Sequence, residues 1–190
     1  MKELVFLLEE PSAKAMLESL LPRMLNAETV FRCIPFEGKQ DLENQLARRI
    51  RGYQNRDARF IVLRDQDSHP DCLVIKRRLL DFCSASDKQG KYLVRIACRE
   101  LETFYLADLT AVGRGLTISG LEKQQNKRKF RTPDKLERPS SELTALTNKR
   151  YQKVAGSRAI GAHLQIDNER SPSFRNLIQG IRRMEAELNN

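Results

Sequence analysis

Phe60-Ile-Val-Leu-Arg-Asp-Gln-Asp-Ser68 is the stretch on which the fold turns. Four consecutive apolar residues, two of them β-branched, predict a buried strand that ends in the acidic pair Asp65 and Asp67. In an open parallel sheet, ligands collect outside the carboxyl ends of the strands, where these aspartates fall. Two carboxylates so close repel each other unless a cation or a proton intervenes. A second acid, Glu9, ends another apolar run, Leu4-Val-Phe-Leu-Leu8. Acids at the ends of two buried strands suit Mg²⁺, a hard cation that takes oxygen ligands and needs only one or two carboxylates.

Outward from these strands the first half alternates. Leu4–Leu8 predicts strand one, followed by a helix carrying Met16, Leu17, Leu20, Leu21 and Leu25 on one face. Thr29–Ile34 predicts a second strand stopped by Pro35, and Asp41–Tyr53 a helix with Arg48, Arg49 and Arg51 solvated. Cys72–Cys83 follows as a third helix and Tyr92–Ala97 as a fourth strand. Such alternation predicts an α/β fold with a central, mainly parallel four-stranded sheet and right-handed crossovers. Beyond Ala97 the periodicity turns helical. One helix is expected from near Arg99 to Gly113 or Gly115. Gly120–Arg138 is expected to be a loop-rich insertion, Pro139–Leu146 a short helix, Val154–His163 a Gly-containing segment, and Ser173–Leu188 a closing helix. The expected division is a core over residues 1–112 and a basic, mainly helical extension over 113–190 packed on it, as one compact unit.

Composition narrows the class. With 40% hydrophobic and 31% charged residues among 190, the chain has the make-up of a globular protein. No apolar run approaches the ~18 residues of a membrane span, and the acids around the first apolar stretch are wrong for a signal peptide. Cys33, Cys72, Cys83 and Cys98 have no C-x-x-C spacing, which leaves zinc and thioredoxin-like chemistry without support. A cytoplasmic protein with reduced cysteines is the expectation. The net charge of +9 is uneven: 18 basic residues face 17 acidic ones up to Val112, but 16 face 8 thereafter. Such an excess points to a polyanionic partner, nucleic acid foremost.

Several short runs together resemble a known family. A glutamate after strand one and D-x-D after a later strand resemble the Toprim domain of topoisomerases, primases and the overcoming-lysogenisation-defect nucleases. The runs Leu8-Glu-Glu-Pro-Ser12, Pro35-Phe-Glu-Gly-Lys-Gln-Asp-Leu42, Leu63-Arg-Asp-Gln-Asp-Ser68 and Arg95-Ile-Ala-Cys-Arg-Glu-Leu-Glu102 are similar to an uncharacterised bacterial Toprim-like family, as are Tyr151-Gln-Lys-Val154 and Ser173-Phe174. The resemblance spans most of the chain. It implies a Toprim-like fold and a nuclease that hydrolyses phosphodiester bonds of DNA or RNA with Mg²⁺ or Mn²⁺. Glu9, Asp65 and Asp67 would be the catalytic, metal-holding acids, and Glu102 a further metal ligand. Glu100 competes for that last role, since residues two apart on a helix face nearly opposite sides. Glu10 stands where the family often has glycine. An ATPase partner in genome or phage defence is implied by the resemblance alone.

The basic residues supply substrate contacts in this reading. Lys39, after strand two, and Lys153 and Arg158, after the loop-rich segment, are candidates for holding phosphate. The cluster Lys127-Arg128-Lys129 with Phe130 has two readings: a grip on a strand by charge plus stacking, or a solvated loop. His69 and His163 are taken as incidental. Two other functions stand beside the nuclease: a noncatalytic nucleic-acid-binding or effector subunit with a regulatory metal site, and a nucleotidyl or phosphoryl transferase.

Overall fold

The structure, a computed structural model, describes residues 2–189. The chain runs β1 (Glu3–Leu8), α1 (Pro11–Leu20), β2 (Val30–Pro35), α2 (Lys39–Arg51), β3 (Arg59–Asp65), α3 (Cys72–Ser84) and β4 (Tyr92–Ala97). Five short helices follow: α4 (Glu102–Leu106), α5 (Leu109–Gly115), α6 (Arg128–Arg131), α7 (Pro139–Leu146) and α8 (Lys153–Gly161). A long helix, α9 (Pro172–Asn189), comes last. The four strands are all parallel, in the order β2-β1-β3-β4, flanked by helices on both faces. This is the α/β class expected from the apolar runs, and it is consistent with a Toprim-like fold.

Strand periodicity decides what covers each face. Leu4, Phe6 and Leu8 of β1 pack with Met16 and Leu17 of α1, Leu177 and Ile181 of α9, and apolar residues from α4, α5, α7 and α8. Val5 and Leu7 point the other way, into a cluster with Leu42, Leu46 and Ile50 of α2 and Ile75 and Leu79 of α3. With α1 on one face and α2 and α3 on the other, the strand order reverses between β1 and β3. A crevice opens at such a switch point, outside the carboxyl ends of those two strands.

The region after β4 differs from expectation in three places. The expected single helix from Arg99 is two, because the chain breaks at Asp108, whose Oδ1 accepts from Ala111 N at 3.0 Å and starts α5 afresh. The expected loop at Gly120–Arg138 is a set of short helical turns, 3₁₀ at Leu121–Gln124 and Pro133–Lys135 with α6 between them. Gln125 pins it: its side chain accepts from Leu109 N at 2.7 Å and donates to the carbonyls of Leu106 at 3.1 Å and Phe130 at 3.2 Å. Leu106 O and Leu109 N are groups that the break between α4 and α5 leaves without helical partners. The Gly-containing segment after Val154 is α8. Its glycines are there for contact, since a Cβ on Gly161 would meet the Met16 carbonyl oxygen of α1 at 2.6 Å. No helix among the described residues is long and apolar enough to cross a membrane.

Candidate functional site

Three turns meet at the switch point. Phe36 N donates to Leu8 O at 2.8 Å and Gly38 N to Glu9 O at 2.9 Å, tying the turn after β2 to the turn after β1. Gly38, at φ 99°, adopts a left-handed conformation that brings Lys39 to the start of α2 beside the crevice. The turn after β3 is tied to the end of β4 by Gln66 N donating to Ala97 O at 2.9 Å and Asp67 N to Arg99 O at 2.7 Å. Asp67 and Arg99 both have positive φ, 56° and 63°. Non-glycine residues held so are uncommon and cluster where a site fixes its backbone.

Glu9 Oε2 accepts from Asp65 N at 3.0 Å and lies 3.8 Å from Arg64 Nε. Arg64 is itself held by Glu43 of α2, which also takes Arg78 of α3 at 2.7 Å. Burial raises the Glu9 carboxyl; the Asp65 N–H opposes this, and the charge of Asp67 adds to the rise. Asp67 Oδ2 pairs with Lys39 Nζ at 3.0 Å. The acid after β1 and the second acid of the D-x-D are therefore neighbours, with Lys39 and Arg64 as their cations.

Asp65 sits among a different set. Its carboxyl is pushed well above the usual range by burial, then by the charges of Glu10, Glu9 and Glu102, against an opposing Leu101 N–H. Glu10 Oε2 pairs with Lys153 Nζ at 2.6 Å, and its other oxygen accepts from Ser12 Oγ. Glu102, only 1% exposed, accepts at Oε1 from Tyr151 Oη at 2.9 Å, while its Oε2 is buried without a partner. Burial raises this carboxyl too, against the Tyr151 bond. Burial pulls Lys153 down, but its bond to Glu10 and the charges of Glu102 and Asp65 more than reverse that, so it holds its proton firmly. Glu100 turns elsewhere: its Oε2 accepts from Ser140 N at 2.7 Å in the first turn of α7.

Of the residues singled out from sequence, Glu9, Asp65, Asp67, Glu102, Lys39 and Lys153 gather at this end of the sheet. Arg158 does not; it lies on α8 against Glu18 of α1, at 3.5 Å. Lys127, Arg128 and Lys129 lie on and beside α6. Of the two readings of that cluster, the one in which Phe130 stacks is overturned: its ring is fully buried in the core, with Lys129 Nζ above it at 5.0 Å and paired to Glu142 at 2.6 Å. His69 has a local role, its Nδ1 accepting from Asp71 N at 3.1 Å. Glu10, Arg64, Glu43 and Tyr151 carry weight that the sequence reading did not give them. Glu10 had one visible signal, an acid placed directly before a proline that opens a helix.

The donor set suits a hard cation in kind. Carboxylate oxygens dominate, and Glu102 Oε2 is a buried acceptor with nothing to accept from. Among the described residues no three His, Cys, Asp or Glu side chains stand close enough together to cage an ion. Any hard cation here would have only one or two of these carboxylates as ligands, with water completing its shell.

An α/β domain with a cluster of carboxylates at its switch point is thus defined by the fold and side chains alone. The chain belongs to a family described as a domain of unknown function (DUF4276), whose model matches residues 8–182. No curated protein and no solved structure matches it.

Proposed function

We propose that this protein is a Mg²⁺- or Mn²⁺-dependent nuclease of Toprim type that hydrolyses phosphodiester bonds of DNA or RNA. The observation that carries the reading is the gathering of Glu9, Asp65 and Asp67 at the carboxyl ends of β1 and β3, with Glu9 bonded to Asp65 N and Asp67 paired with Lys39. Burial and the neighbouring acids raise the Asp65 carboxyl, the kind of perturbation that functional carboxylates show. The resemblance of Glu9, Asp65-x-Asp67 and Glu102 to the Toprim acids supplies the reaction class.

Asp65 with Glu9 or Asp67 would hold the metal, and Glu102 would support a second. The bound ion would supply an activated water and neutralise charge that builds on the phosphate. The remaining work falls to side chains. Glu9, whose carboxyl is raised by burial, is suited to take a proton from the attacking water as its oxygen bonds to phosphorus and the bond to the leaving oxygen breaks. Lys39 and Lys153, now on Asp67 and Glu10, are point charges within the site that suit phosphate oxygens. Tyr151 fixes Glu102 by donating to its Oε1. An ATPase partner in genome or phage defence belongs to the same proposal and rests on the resemblance, and a cytoplasmic setting rests on the cysteine usage and the lack of a signal-peptide pattern.

The test is Mn²⁺-dependent cleavage of single- and double-stranded DNA and RNA by the protein and by Asp65→Ala and Asp67→Ala. Loss of cleavage in both variants, with circular dichroism unchanged, supports the reading; cleavage retained in both overturns it. A second reading is a noncatalytic nucleic-acid-binding subunit. It is favoured by the ion pairs that already satisfy Asp67 and Glu10 without a metal. That reading expects salt-sensitive binding with no turnover and no response to chelator.

A further inference from the structure

The two edges of the sheet are finished differently. At β4 the edge is closed: Arg95 donates from Nη1 to Val94 O at 3.0 Å and from Nε to Asn176 O of α9 at 2.8 Å, and Val94 is fully buried. At β2 it is bare. Val30 N donates to Lys2 O at 3.0 Å and Phe36 N to Leu8 O at 2.8 Å, so Val30, Arg32 and Ile34 turn their backbone groups toward β1. Direction alternates along a strand, which points the N–H and C=O of Phe31 and Cys33 outward. Among the described residues nothing bonds to any of these four groups. Both residues are only partly buried, and Val30 beside them is 45% exposed. Pro35, with no N–H, ends the row.

Beside this edge, on the side of the sheet that carries α2, lies a cavity of about 780 Å³. Its lining includes Arg32 and Ile34 of β2, Arg48 and Arg49 of α2, and Glu3 and Tyr53, so its cations outnumber its one acid three to one. That acid is already satisfied: Glu3 is buried and accepts from Tyr53 Oη at 2.8 Å and Asn55 Nδ2 at 3.0 Å, with Arg32 Nε at 3.7 Å. Arg48 donates to the neutral Gln45 at 3.2 Å, and among the described residues neither it nor Arg49 is ion-paired. Asp41 feels their charge only from two turns back on α2. On the α1 side of the edge the charges balance, since Cys33 feels Glu18 and Lys14, which pair with each other at 3.7 Å.

We propose that the β2 edge and the Arg32–Arg48–Arg49 groove form a docking site for an extended acidic segment of a partner protein, which adds to the sheet as a fifth strand. A row of unpaired N–H and C=O groups is matched by another peptide backbone. Phosphate oxygens only accept, so a nucleic-acid backbone would leave the two carbonyls unmatched. Side chains of the added strand alternate too. The one opposite Arg32 lies on the groove side, where an Asp or Glu meets Arg32 in the cavity that Arg48 and Arg49 also line. Those two positions away lie opposite Val30 and Ile34 and are apolar. A second copy of this chain fits poorly, because two-fold antiparallel pairing sets two basic grooves side by side, like charge against like. The site lies apart from the acids after β1 and β3 and does not depend on the nuclease reading.

The experiment is fluorescence anisotropy of the full chain with a labelled peptide bearing Val-Thr-Glu-Thr-Val, which reads alike in both strand directions, and with its Glu→Lys counterpart. Two variants are compared: Cys33→Pro, which removes one outward N–H and leaves the β1 ladder intact, and Arg32→Glu, which reverses the charge of the groove. The site predicts binding of the acidic peptide and not of the basic one. Cys33→Pro, with circular dichroism unchanged, weakens binding roughly tenfold. Arg32→Glu reverses the preference between the peptides, and this decides the matter if Cys33→Pro does not fold. No binding by the full chain, equal binding of both peptides, or no change in either variant overturns the proposal. A dimer in sedimentation that Cys33→Pro dissolves also overturns it, since a second copy then closes the edge. So does displacement of the peptide by oligo(dT) but not by polyglutamate, which would assign the groove to nucleic acid.

Discussion

On one face of the sheet, Val5, Leu7, Phe60, Val62 and Val94 meet two thirteen-residue helices, α2 and α3, that lie directly between the strands they cover. On the other, Leu4, Phe6 and Leu8 meet α1, α9 and a set of short helices drawn from beyond β4. The first face is closed mainly by apolar side chains at helical spacing, with two buried charged residues, Glu3 bonded to Tyr53 and Arg64 paired with Glu43. The second also encloses Glu102, Thr103, Asp108, Gln125, Ser157 and Asn168. The difference shows a division of labour: local α/β units supply the platform and, at its rim, Glu9, Asp65, Asp67 and Lys39, while distant segments add Glu102, Tyr151 and Lys153. Buried polar networks cost stability unless fully satisfied, and Glu102 Oε2 is not.

The sharpest break between the two faces should come from Asp65→Asn, which we expect to reduce Mn²⁺-dependent cleavage to background in a gel assay. Leu79→Ala, on the platform face, should instead cost ~2–5 kcal/mol in urea unfolding while cleavage per folded molecule is kept. If it removed cleavage from folded protein, the platform would be more than support. Gly161→Ala on the other face drives a Cβ into the Met16 carbonyl oxygen and should cost ~1–3 kcal/mol, seen as a lower melting temperature. Since α8 carries Lys153, that variant should also lose cleavage beyond what its stability explains.

The smallest effect is electrostatic, and its sign is fixed by the direction of the shifts. Asp65, Glu9 and Glu102 all have carboxyls raised by burial, from ordinary values of 3.8 for Asp65 and 4.5 for the glutamates. The native state therefore prefers them protonated. Their contribution to stability is present below those ordinary values and is lost as pH rises through the raised ones. Asp65→Asn cannot ionise, so it should melt above the parent protein at neutral pH by roughly 2–4 °C, about 1 kcal/mol for a chain of this size. The gap should close near pH 4. A variant more stable yet inactive would mark Asp65 as kept for function at a cost in stability.

Legibility follows the same division. The strands were readable because each is an apolar run, and β1 is buried at all six positions. Glu9, Asp65 and Asp67 were readable because they end such runs. What was hidden depends on contacts across long separations. Nothing local to Glu10 announces Lys153 as its partner, and nothing local to Phe130 says that its ring turns inward from a basic segment. The split of α4 from α5 depends on Asp108 and Gln125, whose roles appear only once the chain ends that they satisfy are close.

The bond from Lys153 to Glu10 joins residues 143 apart. Closing so long a loop costs chain entropy that a contact between near neighbours does not. A chain still on the ribosome, with β1 to β4 already made, would carry the acids of the crevice but neither Lys153 nor Tyr151. The crevice is completed only when α8 docks on α1, so whatever chemistry it performs is withheld until synthesis has passed that helix.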